Sequence, residues 1–227
     1  VKVEALRLAG RRLAQRRALS TALASRQRPT IRIHPRIYYN PRLRSPLYMI
    51  PGVAAMVLLI VTTLVTAMSI ARERELGTIE QLSVTPLRPI VLLGGKIIPF
   101  ALIGFVVAHV VIAIGCHLFD VPIRGSLALI AGGTLLYLLS TLGTGVFIST
   151  FAQNQQQAIL GGFVFLMPAI LLSGFMSPIE NMPPWAQWIT VVNPVRYYVE
   201  FLRGCMLKGA ALADVSRQLI ALALFGV

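Results

Sequence analysis

Long apolar runs separated by short polar breaks organise this chain. Residues 45–71 carry no charged side chain, and neither do residues 97–119. Residues 125–179 form a third uncharged stretch, 55 positions long. A helix needs about 20 apolar residues to cross a bilayer, so the first two runs each fit one span and the third is too long for one. The polar run Gln153-Asn154-Gln155-Gln156-Gln157 divides it and reads as a polar turn. The pattern predicts an all-α, polytopic helical membrane protein. Its spans fall at about 48–70, 90–118, 127–150 and 158–174, with an incomplete one at about 217–227.

The segments between the spans have characters of their own. Residues 1–28 set Leu6, Leu8, Leu13 and Leu19 among Arg7, Arg11, Arg12, Arg16 and Arg17, which predicts a basic helix closed by Pro29. Residues 30–46 carry Pro35, Pro41 and Pro46 and read as an extended approach to the membrane. Tyr38, Tyr39 and Tyr48 then stand where an interfacial aromatic belt belongs. The domain boundary falls between a basic segment, 1–47, and a transmembrane domain, 48–227. In the loop 175–215, Pro178, Pro183, Pro184 and Pro194 interrupt a mixture of apolar and charged residues. Short interfacial helices anchored by Trp185, Trp188, Tyr197 and Tyr198 fit it better than a span.

Composition agrees: 56% hydrophobic and 13% charged residues exclude an ordinary soluble domain. The net charge of +13 suggests a polyanion partner until it is divided. Residues 1–48 hold 12 Lys and Arg against the single acid Glu4, whereas the other residues hold nine basic and seven acidic side chains. The charge therefore belongs to one terminal segment, and nucleic acid is not an expected partner of the whole. Cys116 and Cys205 stand too far apart for a disulfide framework or a metal pattern. The first residues lack the apolar core of a signal peptide. With a start at Val1 and an end inside an apolar run, the chain reads as a piece of a longer membrane protein, or residues 1–28 as a mis-started frame.

Catalytic chemistry has little support. His109 and His117 are eight residues apart, too far for a close ligand pair on a helix, and no H-E-x-x-H, G-x-S-x-G or Walker pattern occurs. Gly94-Gly95-Lys96 lacks the rest of a phosphate loop. No catalytic residue, metal site or cofactor is expected. His109, within a span, is a candidate to line a path. Thr134, Ser140, Thr141 and Thr144 either line one or bond back to their own helix, and the neighbouring glycines allow close helix approach in lipid.

The charged island between the first two spans holds Arg72, Glu73, Arg74, Glu75, Glu80, Arg88 and Lys96. Gly77-Thr78 marks a helix end and Thr85-Pro86-Leu87 a turn. Such charges, rigidly joined to a span, fit the groove of a soluble partner and would set register and partner choice. The spacing of Glu73, Glu75, Gly77, Thr78, Glu80, Leu82, Thr85, Pro86, Leu87, Gly95 and Lys96 resembles the first cytoplasmic loop of ABC-2 type permeases, the membrane subunits of ABC exporters. Tyr38-Tyr39-Asn40-Pro41 with Met49-Ile50-Pro51-Gly52 resembles the approach to the second span in the subgroup with a large extracytoplasmic domain. Leu172-Ser173-Gly174-Phe175, Asn181-Met182-Pro183 and Asn193-Pro194 resemble the family's loop before the last span.

The resemblance implies a permease subunit in a bacterial inner membrane, paired with a second permease subunit. It implies that loop 71–89 docks to a separate ABC ATPase, which performs the hydrolysis, and that a periplasmic adaptor is a further partner. It also implies efflux of drugs or other amphipathic compounds. A cytoplasmic loop 71–89 puts residues 1–47 and 175–215 outside, against the positive-inside tendency of the basic segment. Two other classes stay open: a channel or intramembrane enzyme, and a polyanion or lipid-surface binder acting through residues 1–48.

Overall fold

The computed structural model describes Glu4 and residues 10–18, 45–78 and 89–226. Residues 10–18 form a helix, α1, whose side chains are exposed and which belongs to a unit of its own, Val1–Tyr38. Of the predicted extended approach at residues 30–46, residues 30–44 lie outside the described residues, and Ser45 and Pro46 instead open the first long helix.

The second unit, Tyr39–Val227, holds the rest. Its long helices are α2 (Ser45–Glu75), α3 (Pro89–Phe119), α4 (Leu127–Phe151) and α5 (Gln155–Leu171). A 3-10 turn at Ile179–Asn181, two short helices α6 (Pro184–Thr190) and α7 (Pro194–Arg203), and a π-turn at Gly204–Lys208 lead to α8 (Ser216–Gly226). The described residues contain no strand. Three of the helices, α2, α3 and α4, are long and apolar enough to cross a bilayer.

Two expected boundaries move. The first span does not stop at Ile70: α2 runs on through Glu75, so the charged residues are its last turn. The polar run is not a turn throughout, because α5 already begins at Gln155. Asn154 explains the early start, its side chain accepting from the backbone N–H of Gln157 at 2.9 Å.

Helix α2 stands at the centre, against α3, α4, α5 and α7. Its buried face is built from Ala54, Ala55, Leu58, Leu59, Thr62, Thr63, Thr66, Ala67 and Ala71. Small side chains let neighbouring backbones approach, which in lipid substitutes dispersion contacts and interhelical hydrogen bonds for the missing hydrophobic force. At the crossing with α4, a Cβ on Gly145 would lie 2.8 Å from the Thr63 carbonyl oxygen. One turn away the single hydroxyl hydrogen of Thr62 is shared between the Thr141 hydroxyl at 2.8 Å and the Leu58 carbonyl at 2.7 Å.

The loop after α5 departs from expectation. Trp185 and Trp188 are exposed, as interfacial anchors should be, but Tyr198 is fully buried. Its ring stacks on Tyr137 of α4 with centroids 4.0 Å apart, and its hydroxyl meets that of Thr134 at 2.9 Å. Sequence alone could not show that α7 turns its Val195, Tyr198, Phe201 and Leu202 face into the bundle. Asn193 holds it there, capping α7 through the Val195 N–H at 3.1 Å and donating to the Ala169 carbonyl of α5 at 2.7 Å.

Candidate functional site

The end of α2 gathers the charges that stood out in the sequence. Burial of Ala71 keeps this last turn against α4 and α5, while the next positions emerge into polar surroundings. Gly77, at φ +70°, ends the helix in a left-handed conformation that glycine adopts without strain. Thr78 closes the turn by donating to the Glu73 carbonyl at 3.0 Å.

Arg74 reaches the far end of α4. Its Nη1 donates to the carbonyl oxygens of Ser149, Thr150 and Ala152 at 3.2, 3.0 and 2.8 Å. These are groups that a helix C-terminus leaves without an intrahelical donor, and the cation also meets the negative end of the helix dipole. Glu75, one position on, does the opposite for α5. Its Oε2 accepts from the backbone N–H of Gln155 at 3.1 Å and from that residue's side-chain amide at 3.3 Å. A carboxylate at a helix N-terminus is favoured for the same reason with the sign reversed. Adjacent opposite charges on α2 thus clasp both sides of the α4–α5 turn. Glu73 adds a third tie by pairing with Lys96 on α3, both half-buried.

Three of the four charges in Arg72-Glu73-Arg74-Glu75 are therefore engaged within the chain, and Arg72 is exposed. Glu80, Thr85 and Pro86, named with them from the sequence, lie outside the described residues. Sequence reasoning missed the other half of the clasp: the carbonyls of Ser149, Thr150 and Ala152, and Gln155. Main-chain acceptors leave no mark in a sequence, although the Gln153–Gln157 run did flag the turn.

The residues considered for path lining have definite places. Thr134 and Thr141 are fully buried between helices and donate back to Ile130 at 2.8 Å and Leu138 at 3.2 Å. Ser140 is also buried, and the partly exposed Thr144 donates to its carbonyl at 2.9 Å. His109 is half-buried on α3, its Nδ1 2.8 Å from the Phe105 carbonyl. A carbonyl can only accept, so Nδ1 carries the hydrogen.

Fold and clasp together define a polytopic helical membrane protein in which one corner couples four long helices. The chain belongs to the ABC-2 transporter family, matching the family described as ABC-2 family transporter protein over residues 7–227. That match begins within the basic segment, at residue 7. The chain is 44% identical over 184 residues to YbhR of Escherichia coli K12, a "Probable multidrug ABC transporter permease". The alignment covers 81% of this chain and 50% of YbhR. It is 35% identical to YbhS of the same strain, described in the same words, over 80% of this chain and 48% of that protein. To the "Inner membrane transport permease YhhJ" of that strain it is 30% identical, over 87% of this chain and 53% of the relative. The chain thus spans about half the length of the curated relatives it matches.

Proposed function

We propose that this chain is the membrane-embedded part of an ATP-driven exporter permease, receiving force at the α2 corner from a separate ATPase. The observation that carries the reading is the clasp. Arg74 and Glu75 bind the α4–α5 turn, and Glu73 binds α3 through Lys96. A push on this corner is passed to α2, α3, α4 and α5 as one body, which a solvated linker would not do. Arg72 and loop 79–88, including Glu80, Thr85 and Pro86, supply the contact with the ATPase. In this reading the corner is cytoplasmic, the Tyr48 end faces outward, and ATP is hydrolysed by the partner.

The relatives' descriptions support a multidrug permease in a bacterial inner membrane; to this we add export of drugs or other amphipathic compounds and a periplasmic adaptor as a further partner. Two permease chains pair, leaving their path between them. Thr144 and His109, both partly exposed, are the polar candidates to line it. The test is co-purification with the ATPase encoded beside the gene, combined with ATP-dependent efflux. Arg72→Glu and Glu80→Lys should release the ATPase while the permease stays in the membrane, because Arg72 stands outside the clasp. Unchanged complex and unchanged efflux in the double variant would sink the docking role.

A further inference from the structure

Helix α3 is held unevenly along its length. Its later part packs closely: Gly104, Ala108, Ile112 and Gly115 are buried. A Cβ on Gly104 would lie 2.6 Å from Leu138 of α4 and 2.8 Å from Thr62 of α2. The first turns differ. No residue from Val91 to Pro99 is buried, and packing onto the core begins at Ile97 and Phe100. Among the described residues, the one hydrogen bond or ion pair that joins these turns to the rest of the bundle is Lys96 to Glu73.

The backbone of these turns is built to bend. A Cβ added to Gly94 or Gly95 would meet nothing within 4 Å, so close packing does not explain either glycine. A glycine without a packing partner loosens a helix through the conformational freedom it keeps. Four residues after Gly95 comes Pro99, inside the helix, which offers no N–H to the Gly95 carbonyl and crowds it. Glycines and an internal proline so placed are the ordinary causes of a helix kink. Lys96 stands within this joint, and its ammonium has two stations. In one it meets Glu73 of α2. In the other it extends on its four-carbon stem to the polar boundary, as a lysine near the end of a span does. The pair with Glu73 is partly exposed, so it stabilises by little and opens readily. Two stations for one cation across a soft joint make a two-state element.

We propose that α3 bends at Gly94–Pro99 and that the Glu73–Lys96 pair is the latch that sets the bend. Closed, the first turns of α3 move with the α2 corner. Open, they swing away from it while the helix beyond Phe100 stays packed. Residues 79–88 join α2 to these turns in sequence, so a force delivered there reaches the joint before the rest of α3. The latch adds to the docking role proposed above without needing it, because every measurement is made on the chain alone. Pulsed EPR between spin labels on Val91→Cys and Thr150→Cys reads the bend. Both positions are exposed, Cys116→Ala removes the accessible thiol, and the buried Cys205 stays. The chain with the latch intact should show one dominant distance. Lys96→Gln should add a second, longer one. Hydrogen exchange at residues 92–98 should then quicken about fivefold, the scale of a partly exposed ion pair, with residues 104–115 unchanged. Exchanging the charges, Glu73→Lys with Lys96→Glu, should restore both readings. Gly94→Ala with Gly95→Ala enters open space and should suppress the second distance even beside Lys96→Gln. Unchanged distance and exchange in Lys96→Gln overturn the proposal, as does a second distance that survives the alanine pair. If Lys96→Gln does not fold, Glu73→Gln opens the same latch from α2 and is read in the same two ways. Either failure leaves the Arg74 and Glu75 ties to the α4–α5 turn, and the docking role, to be judged by their own tests.

Discussion

Replacing Arg74 by Gln isolates the clasp from every other contact of α2. Its Nη1 has two hydrogens for three carbonyl acceptors at 2.8 to 3.2 Å, so two bonds form at a time. Hydrogen bonds to a charged group contribute about 1.5–3 kcal/mol each where water is excluded. Here the side chain is largely exposed, and screening reduces the pair to about 1.5 kcal/mol in total, including a charge–dipole share of about 0.5 kcal/mol. About 1.4 kcal/mol corresponds to a tenfold change in population. Hydrogen exchange followed by mass spectrometry on the solubilised chain should therefore show residues 152–157 exchanging about tenfold faster in Arg74→Gln. Arg74→Lys, which keeps the charge but not the planar fork, should fall between the two. Glu75→Gln should act on the same segment from the α5 side. The two effects should combine non-additively, because both residues hold one turn. Exchange in Arg74→Gln equal to wild type across residues 152–157 would refute the clasp, and with it the rigid corner on which the proposed force transfer rests.

Other expectations follow from the packing. Gly145→Ala puts a methyl group against the Thr63 carbonyl and Thr66 at 2.8 Å. Overpacking against backbone costs about 1–3 kcal/mol, so the Tm in detergent should fall by several degrees, whereas an unchanged Tm would mean that α2 and α4 do not cross there. Asn193→Ala removes both the cap of α7 and the bond to Ala169. It should cost about 2 kcal/mol or more, clearly exceeding Asn154→Ala, which loses one exposed cap. Thermal unfolding of the two variants side by side checks the order. Tyr198→Phe keeps the stack on Tyr137 but drops the bond to Thr134. Thr134 still donates to Ile130, so the loss should stay near 1 kcal/mol, and Tyr198→Ala should be several times worse because it leaves a cavity.

Much of the molecule was legible because the bilayer imposes a length on each apolar run. The uncharged stretches at 45–71 and 97–119 became α2 and α3, and the polar Gln153–Gln157 run did separate α4 from α5. The ends of elements were harder. Arg72 to Glu75 looked like the start of a loop because charge usually ends a span, yet they continue α2, since their partners lie beside that last turn. Tyr198 looked like an interfacial anchor because tyrosine and tryptophan share that habit. Its burial depends on Tyr137, Ala55 and Thr134, residues more than sixty positions away that no local pattern connects to it.

By itself, then, the sequence determined that this is an all-helical membrane protein, where its three longest apolar helices lie, and that a compact charged island follows the first of them. These follow from hydrophobicity, which acts residue by residue along the chain. Tertiary structure decided what those charges do: Arg74 and Glu75 on opposite helix ends and Glu73 on Lys96. Such pairings depend on which helix ends meet in space. That is settled by the packing of small residues such as Ala55, Thr62 and Gly145 between helices, not by the order in which the charges are strung.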